Sequence, residues 1–417
     1  MKVNGLVLAK AVAAKQASYA MAVLPTEQKN RALLAMATAL EKRAELIIGE
    51  NEKDVAQARQ QGLARSLLDR LMLNEDRLCS MAEGLRQTAS LPDPIGEGIS
   101  AMKRPTGLEI RKVRVPLGVI GVIYEARPNV TADAIGLCLK SGNAVILRGG
   151  SEAILSNRAI VSVLIQAASE NDIPLGAIQF IETTDRGAVQ EMLQLHGYLD
   201  VVIPRGGKGL IDMVVANSKV PVIETGTGVC HTFVDETADL AMAEAIVMNA
   251  KTSRPAVCNA METLLVHEKI ATDFLLHMIP MLIKAGVEVR GCKQTMAIYP
   301  VIKAAAVEDW STEYSDLILA IKVVPDIKAA IDHINKYNTK HSEAIITANY
   351  KNARRFQQEV DAAAVYVNAS TRFTDGFEFG FGGEIGISTQ KLHARGPMGL
   401  AELTSVKYLI DGDGQIR

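Results

Sequence analysis

From Leu117 onward, uninterrupted apolar runs of strand length alternate with segments of helical spacing, and this alternation leaves few folds open to the chain. LGVIGVIYE is followed by VTADAIGLCLKSG, NAVILRGG, SEAILSNRAIVSVLIQAASEN, AIQFIE, DRGAVQEMLQLHG and LDVVIPRGG. A strand that is apolar at successive positions is buried on both faces. Its sheet is then parallel, flanked by helices and connected by right-handed crossovers. Ser151 is the expected N-cap of the helix after NAVILRGG. A second α/β series follows Gly228, running from CHTFVDE through METLLVHE, DLILAIKVV and EAIITA to AAVYVNAS. The break between the two series falls at residues 224–230. Ligands of such sheets bind beyond the carboxyl ends of the strands.

Residues 5–92 read as helices, with Thr26, Glu27 and Asn30 offering a helix start. SLPDPIGEGIS breaks that pattern, and residues 101–115 alternate as a β-hairpin around Pro105-Thr106-Gly107. The Gly- and Phe-rich FTDGFEFGFGGEIGIS reads as a loop. Lys and Arg number 45 against 47 Asp and Glu. That balance argues against a nucleic-acid or membrane-surface binder and leaves room for a local basic pocket. Five scattered cysteines without a C-x-x-C pair argue against a zinc cluster or a redox dithiol, and no metal site is expected. No apolar run approaches a membrane span, and the first residues lack a signal-peptide core, so a reducing cytoplasm is the expected setting.

Cys258, in SRPAVCNAMETLLV, follows Arg-Pro and precedes Asn259, a poor setting for a core filler. A thiolate is a strong nucleophile toward acyl carbon; a buried, inert thiol is the other reading of the same residue. Asn129, in YEARPNVT, is either an amide donor to an oxyanion, together with the Cys258 N–H, or a helix cap. The turn Arg205-Gly206-Gly207 leads into a helix whose N-terminal N–H groups suit phosphate, although it matches no complete phosphate-loop pattern. Arg148, Gly149 and Ser151 end another strand, where they meet either a ribose phosphate or solvent. Glu224 reads equally as a general base or as a salt-bridging residue at a strand end. His231 beside Cys230 reads as structural rather than as a catalytic pair.

These segments, in this order, resemble the aldehyde dehydrogenase superfamily: PLGVIGVIYEARPN its strand leading to the oxyanion-hole Asn, CLKSGNAVILRGG its helix and strand under the nucleotide, and Cys258 its nucleophile. VIYEARPNVT, IPRGG, SRPAVCN, YVNASTRFTDG and STQKLHARGPMGL are closer still to the γ-glutamyl phosphate reductase family, over residues 5–410. The resemblance implies an α/β, aldehyde dehydrogenase-like fold. A Rossmann-type NADP-binding domain (1–98 and 115–226) would be joined to an α/β catalytic domain (227–402) and a β-hairpin oligomerisation flap (99–114 and 403–417). It implies NADPH-dependent reduction of L-glutamyl 5-phosphate to L-glutamate 5-semialdehyde through a Cys258 thioacyl-enzyme, the second step of proline biosynthesis. Arg148, Gly149, Ser151, Arg205, Gly206, Gly207 and Glu224 would hold the cofactor. Arg148 at the superfamily's Lys position fits NADP, and Glu224 falls on a base that a reductase does not need. A doubly anionic substrate calls for convergent cations; Arg127, Arg254, Arg372, Lys391 and Arg395 lie in the shared motifs, with Arg254 and Arg372 preferred. A homo-oligomer and a complex with glutamate kinase complete what the resemblance implies.

Overall fold

The apolar runs form two separate parallel sheets in the computed structural model, which describes residues 5–63 and 65–417. Residues 1–4 and 64, which belong to the expected nucleotide domain, lie outside the described residues. The chain divides into two compact units: residues 1–225, 380–386 and 398–417 in one, and residues 226–379 and 387–397 in the other.

The first unit begins with helices α1 (Gly5–Met21), α2 (Thr26–Lys42), α3 (Ala44–Gln60), α4 (Arg65–Leu71) and α5 (Glu75–Ser90). α2 starts where Thr26 suggests, but Thr26 is no cap: its hydroxyl donates to Asp93 at 2.7 Å. The hairpin β1 (Gly98–Lys103) and β2 (Glu109–Pro116) follows. Then come β3 (Val119–Tyr124), α6 (Pro128–Lys140), β4 (Ala144–Gly149), α7 (Ile154–Ser169), β5 (Ile178–Phe180), α8 (Gly187–Gln194), β6 (Val201–Arg205) and α9 (Lys208–Asn217). The sheet order is β5-β4-β3-β6, all parallel, and every residue of β3 and β4 is buried. On one face Val7 and Ala11 of α1, Met192 of α8 and Val214 of α9 pack against Val119, Ile146 and Val202. Gly121 in β3 has no room for a side chain, because a Cβ there would strike the Met192 methyl. Ser151 does not cap α7, which corrects that expectation. Residues 151–153 form a 3₁₀ turn between strand and helix, and among the described residues no side chain caps α7.

The second unit contains β7 (Cys230–Val234), α10 (Leu240–Thr252), β8 (Met261–His267), α11 (Glu268–Lys284), β9 (Glu288–Gly291), α12 (Lys293–Ile298), β10 (Lys303–Ala304), β11 (Ile318–Val324), α13 (Ile327–Tyr337), β12 (Ser342–Ile346), α14 (Tyr350–Glu359) and β13 (Ala364–Val367), with the short pair β14 (Ile387–Ser388) and β15 (Gly396–Pro397). Its main sheet runs β10-β9-β11-β8-β7-β12-β13, again wholly parallel. Successive strand residues face opposite sides. Leu265, Phe233 and Ile345 meet Ile331 of α13 and Phe356 of α14, while their neighbours Leu264, Val234 and Ile346 belong to the core built on Val247 of α10 and Phe274 of α11.

The chain then returns to the first unit as β16 (Thr404–Asp411), which pairs antiparallel with β2 from Thr404–Pro116 to Asp411–Glu109. The resulting sheet has the order β1-β2-β16.

Candidate active site

Three tips of the first sheet lie at the carboxyl ends of β3, β4 and β6. After β3 the chain turns sharply through Ala126, whose φ of 38° lies in the left-handed region that L-residues seldom adopt. α6 opens with Pro128 at its first position and Arg127 as N-cap. Asn129 therefore sits inside the first turn rather than at the cap, which removes the capping reading. Its exposed amide lies 3.4 Å from Asp133 Oδ2, one helical turn on. Burial pushes the Asp133 carboxyl up to about 6, against the lowering effects of Asn129 and the Arg205 cation. Arg127 is half-buried at the same corner.

At the β4 tip Arg148 is buried, and its guanidinium donates to the Gly149 carbonyl at 2.7 Å and to the Thr184 carbonyl at 3.4 Å. Burial holds it below the usual guanidinium range. A Cβ on Gly149 would meet Asn157 and the Tyr124 ring, so only glycine fits there. Ser151 is exposed in the following turn. At the β6 tip Gly207 precedes α9, and its N–H donates to Glu125 Oε2 at 2.9 Å. A Cβ on Gly206 would collide with the same carboxylate. Glu152 accepts from the Ala126 N–H in turn. Among the described residues the Nε atoms of Arg148 and Arg205 are buried without a hydrogen-bond partner. These cations, and helix N-termini at the carboxyl ends of parallel strands, suit the phosphates of a dinucleotide; the Gly207 donor already holds an anion, the Glu125 carboxylate. Glu224 is half-buried just before the chain leaves the unit at residue 225.

In the second unit Cys258 lies on the loop from the end of α10 to the start of β8, at the amino edge of its sheet. The carboxyl-end expectation therefore does not extend to this sheet. The carboxyl ends of β7 and β12 are filled by the chain itself: Asp235 Oδ2 accepts from Thr347 at 2.7 Å and from Asn352 at 3.0 Å. Cys258 is half-exposed. Its loop is locked against the segment leading into β7, where a Cβ on Gly228 would fall on the Cys258 carbonyl. The buried Cys230 thiol donates to that carbonyl at 3.2 Å, and burial pushes it well above the ordinary thiol range, so it stays protonated. His231 faces away from any such chemistry: it is buried, with its backbone N–H and Nδ1 both on Glu343 Oε2, at 2.7 and 3.0 Å.

Arg372 follows β13 and reaches the Cys258 loop. Its Nε donates to Ser253 Oγ at 3.1 Å and its Nη1 to Asn259 Oδ1. Burial and then the neighbouring Arg254 cation hold it below its usual range, while negative charge on Cys258 acts the other way. Arg254 is exposed. Cys258, Arg254 and Arg372 thus converge. Lys391 and Arg395 do not join them: both pair with Asp361, at 2.9 and 2.7 Å.

Sequence reasoning missed the residue that assembles this cluster. Asn259, buried beside the thiol, accepts from Arg372, donates to the carbonyls of Arg372 and Thr374 at 3.3 and 2.9 Å, and receives the Thr371 hydroxyl on its own carbonyl at 2.7 Å. A polar residue adjoining a candidate nucleophile was the available signal. Also missed was the fully buried Lys251–Glu262 ion pair, which links the end of α10 to the start of β8 and so braces both ends of the Cys258 loop. Burial, opposed by Lys251, brings Glu262 to about 7. Among the described residues no cluster of three or more His, Cys, Asp or Glu side chains is arranged to hold a metal ion, and no helix is long and apolar enough to cross a membrane.

The profile of the aldehyde dehydrogenase family matches residues 7–316 and 297–409. The gamma-glutamyl phosphate reductase of Moorella thermoacetica is 62% identical over 404 residues, 97% of this chain and 97% of its own. The solved gamma-glutamyl phosphate reductase of Thermotoga maritima superposes with a TM-score of 0.95 at 53% identity, covering 99% of each chain. An acetylating aldehyde dehydrogenase of Geobacillus thermoglucosidasius shares the fold at a TM-score of 0.71 and 16% identity, over 99% of this chain and 98% of its own. With its α/β architecture and the nicotinamide cofactor which that architecture serves in the family, the chain belongs to the γ-glutamyl phosphate reductases of the aldehyde dehydrogenase family.

Proposed function

We propose that the chain reduces L-glutamyl 5-phosphate to L-glutamate 5-semialdehyde, with NADPH as reductant and Cys258 as the acyl carrier. The observation that carries this reading is the Cys258 thiol, half-exposed on a loop locked by backbone contact, with two guanidinium groups at hand. The relatives' name supplies the substrate.

The Cys258 thiolate attacks the γ-acyl carbon. A C–S bond forms, the C–O bond to phosphate breaks, and phosphate leaves with the electron pair. A thioester carbon is far more electrophilic than a carboxylate. When bound, the nicotinamide supplies the hydride that this carbon accepts. The C–S bond then breaks with its electrons returning to sulfur, and the aldehyde departs. The Asn129 amide and the Cys258 N–H are the oxyanion donors in this reading. Arg148, Gly149, Ser151, Arg205, Gly206, Gly207 and Glu224 hold the cofactor, with Arg148 favouring NADP over NAD. Arg127, Arg254 and Arg372 take the anionic groups of the substrate. The chain then acts in the cytoplasm, at the second step of proline biosynthesis from glutamate, with glutamate kinase as candidate partner. It is a homo-oligomer built through the sheet of β1, β2 and β16.

The test supplies glutamyl phosphate in situ from glutamate kinase and follows NADPH consumption. In reverse, glutamate semialdehyde should be oxidised by NADP⁺ only when phosphate is present. Oxidation that ignores phosphate would point to a different acyl acceptor and end this reading.

A further inference from the structure

We propose that Arg372 and Arg254 form the site of the phosphate leaving group, and that Ser253 and Asn259 are its positioning residues. This rests on the reading of Cys258 as the acyl-accepting thiol.

The polarity of the second sheet sets the problem. Cys258 lies where α10 ends, and a helix C-terminus presents carbonyl oxygens, not N–H donors. Here the last turn is already using its carbonyls inward: Asn249 O accepts from the Ser253 hydroxyl at 2.7 Å, and Met248 O from Thr252 at 2.7 Å. The end of that helix offers an anion no N–H donors, so beyond the Cys258 N–H itself an anion beside the thiol is met by side-chain cations.

The substrate carries two anionic groups at opposite ends. The phosphate is bonded through oxygen to the carbon that the thiol attacks, and the α-carboxylate lies at the far end of the carbon chain. Cations tied to the thiol's own loop therefore serve the phosphate. Arg372 is tied to that loop in a specific way, because its two anchors, Ser253 and Asn259, bracket Cys258 in the chain. Any shift of the loop carries the guanidinium with it. The two bonds use two of the five donors of the fork, and the planar fork matches the oxygens of a phosphate.

Asn259 is suited to this task because it is neutral. Its Oδ1 fixes the guanidinium without cancelling the charge, while its Nδ2 is held by the carbonyls of Arg372 and Thr374. An aspartate of the same shape would turn the anchor into an ion pair and quench the cation.

The experiment uses the full chain in the phosphate-dependent oxidation of glutamate semialdehyde, varying phosphate and semialdehyde separately. Arg372→Gln and Asn259→Asp should each raise the phosphate KM about tenfold or more, and leave the semialdehyde KM within about twofold. A rise in the semialdehyde KM with phosphate unchanged would hand the arginines to the α-carboxylate and overturn the assignment; equal rises in both would reduce Asn259 to a structural role and do the same. Should either variant fail to fold, wild-type protein decides. Inorganic phosphate should slow alkylation of Cys258 by iodoacetamide, read by mass spectrometry of its peptide, and absence of protection sinks the proposal. Turnover surviving in Cys258→Ala would instead bring down the thiol reading, whatever the arginines do.

Discussion

Both units are built on parallel sheets, yet they carry their polar groups at opposite ends. The first places Arg148, Arg205 and the Gly206–Gly207 turn at the carboxyl ends of its strands, where helices begin. The second seals its carboxyl ends with Asp235, Thr347 and Asn352, and places Cys258 at the amino edge, where α10 ends. Where helices begin, backbone N–H groups and the helix dipole meet an anion with little help from side chains. Where they end, the helix presents carbonyl oxygens rather than N–H donors, so positive charge must come from side chains, and Arg372 is anchored there by Ser253 and Asn259. The first arrangement suits a long cofactor gripped along its phosphates. The second suits one reacting carbon held against one sulfur, and the buried pair Lys251–Glu262 and the amide of Asn259 supply the stiffness that demands.

The sharpest way to break this contrast is Cys258→Ala. It should lower turnover by about four orders of magnitude or more and leave NADPH binding, read by fluorescence titration, unchanged. Loss of binding together with turnover would mean that the two ends do not divide the work. Next is Lys251→Met, which leaves the buried Glu262 without its cation. It should cost about 3–5 kcal/mol in urea unfolding, and a loss well under that range would show the loop to be held by other contacts. Asn129→Ala, at the first sheet, should lower kcat by roughly ten- to a thousandfold with the NADPH Kd unchanged; an unaltered kcat would leave the oxyanion to backbone donors alone.

The smallest effect concerns Asp133. Its carboxyl has an ordinary value of 3.8 and titrates at about 6 in the folded chain. Between those values the folded state holds a proton that the unfolded state has released, so stability falls as pH rises through that window. Asp133→Asn removes the loss. The variant should gain about 1–2 kcal/mol on wild type between pH 4 and pH 7 in urea melts, and parallel pH profiles would contradict the burial of that carboxyl.

The strands were legible because burial on both faces selects long apolar runs, as in VIGVIY of β3 and AVIL of β4, and such runs cannot be loops. That Cys258 lies on a loop outside the core was legible, because a thiol between Arg-Pro and Asn has no business in a core. The end of the sheet on which it would sit was not, since that depends on how strands from distant segments line up. Ser151 looked like a cap by residue type, but the two glycines before it lead into a 3₁₀ turn that moves the helix start to Ile154. Asn129 looked like one too, yet Pro128 takes the first helical position and leaves the cap to Arg127. The cations split for the same long-range reason: nothing local to Lys391 or Arg395 announces Asp361, and nothing near Arg372 announces Asn259. The grip of Asn259 spans 113 positions of sequence.

The pairing of β2 with β16 carries a cost that appears only during synthesis. Arg111 reaches its partner strand across a separation of 300 residues, so the ribosome must finish the whole second unit before that edge can be closed. Until then the hairpin is an open template for any strand it meets. Arg111, Lys112 and Arg114 stud β2 with positive charge, and mutual repulsion keeps two nascent chains from zipping together while each waits for its own last strand.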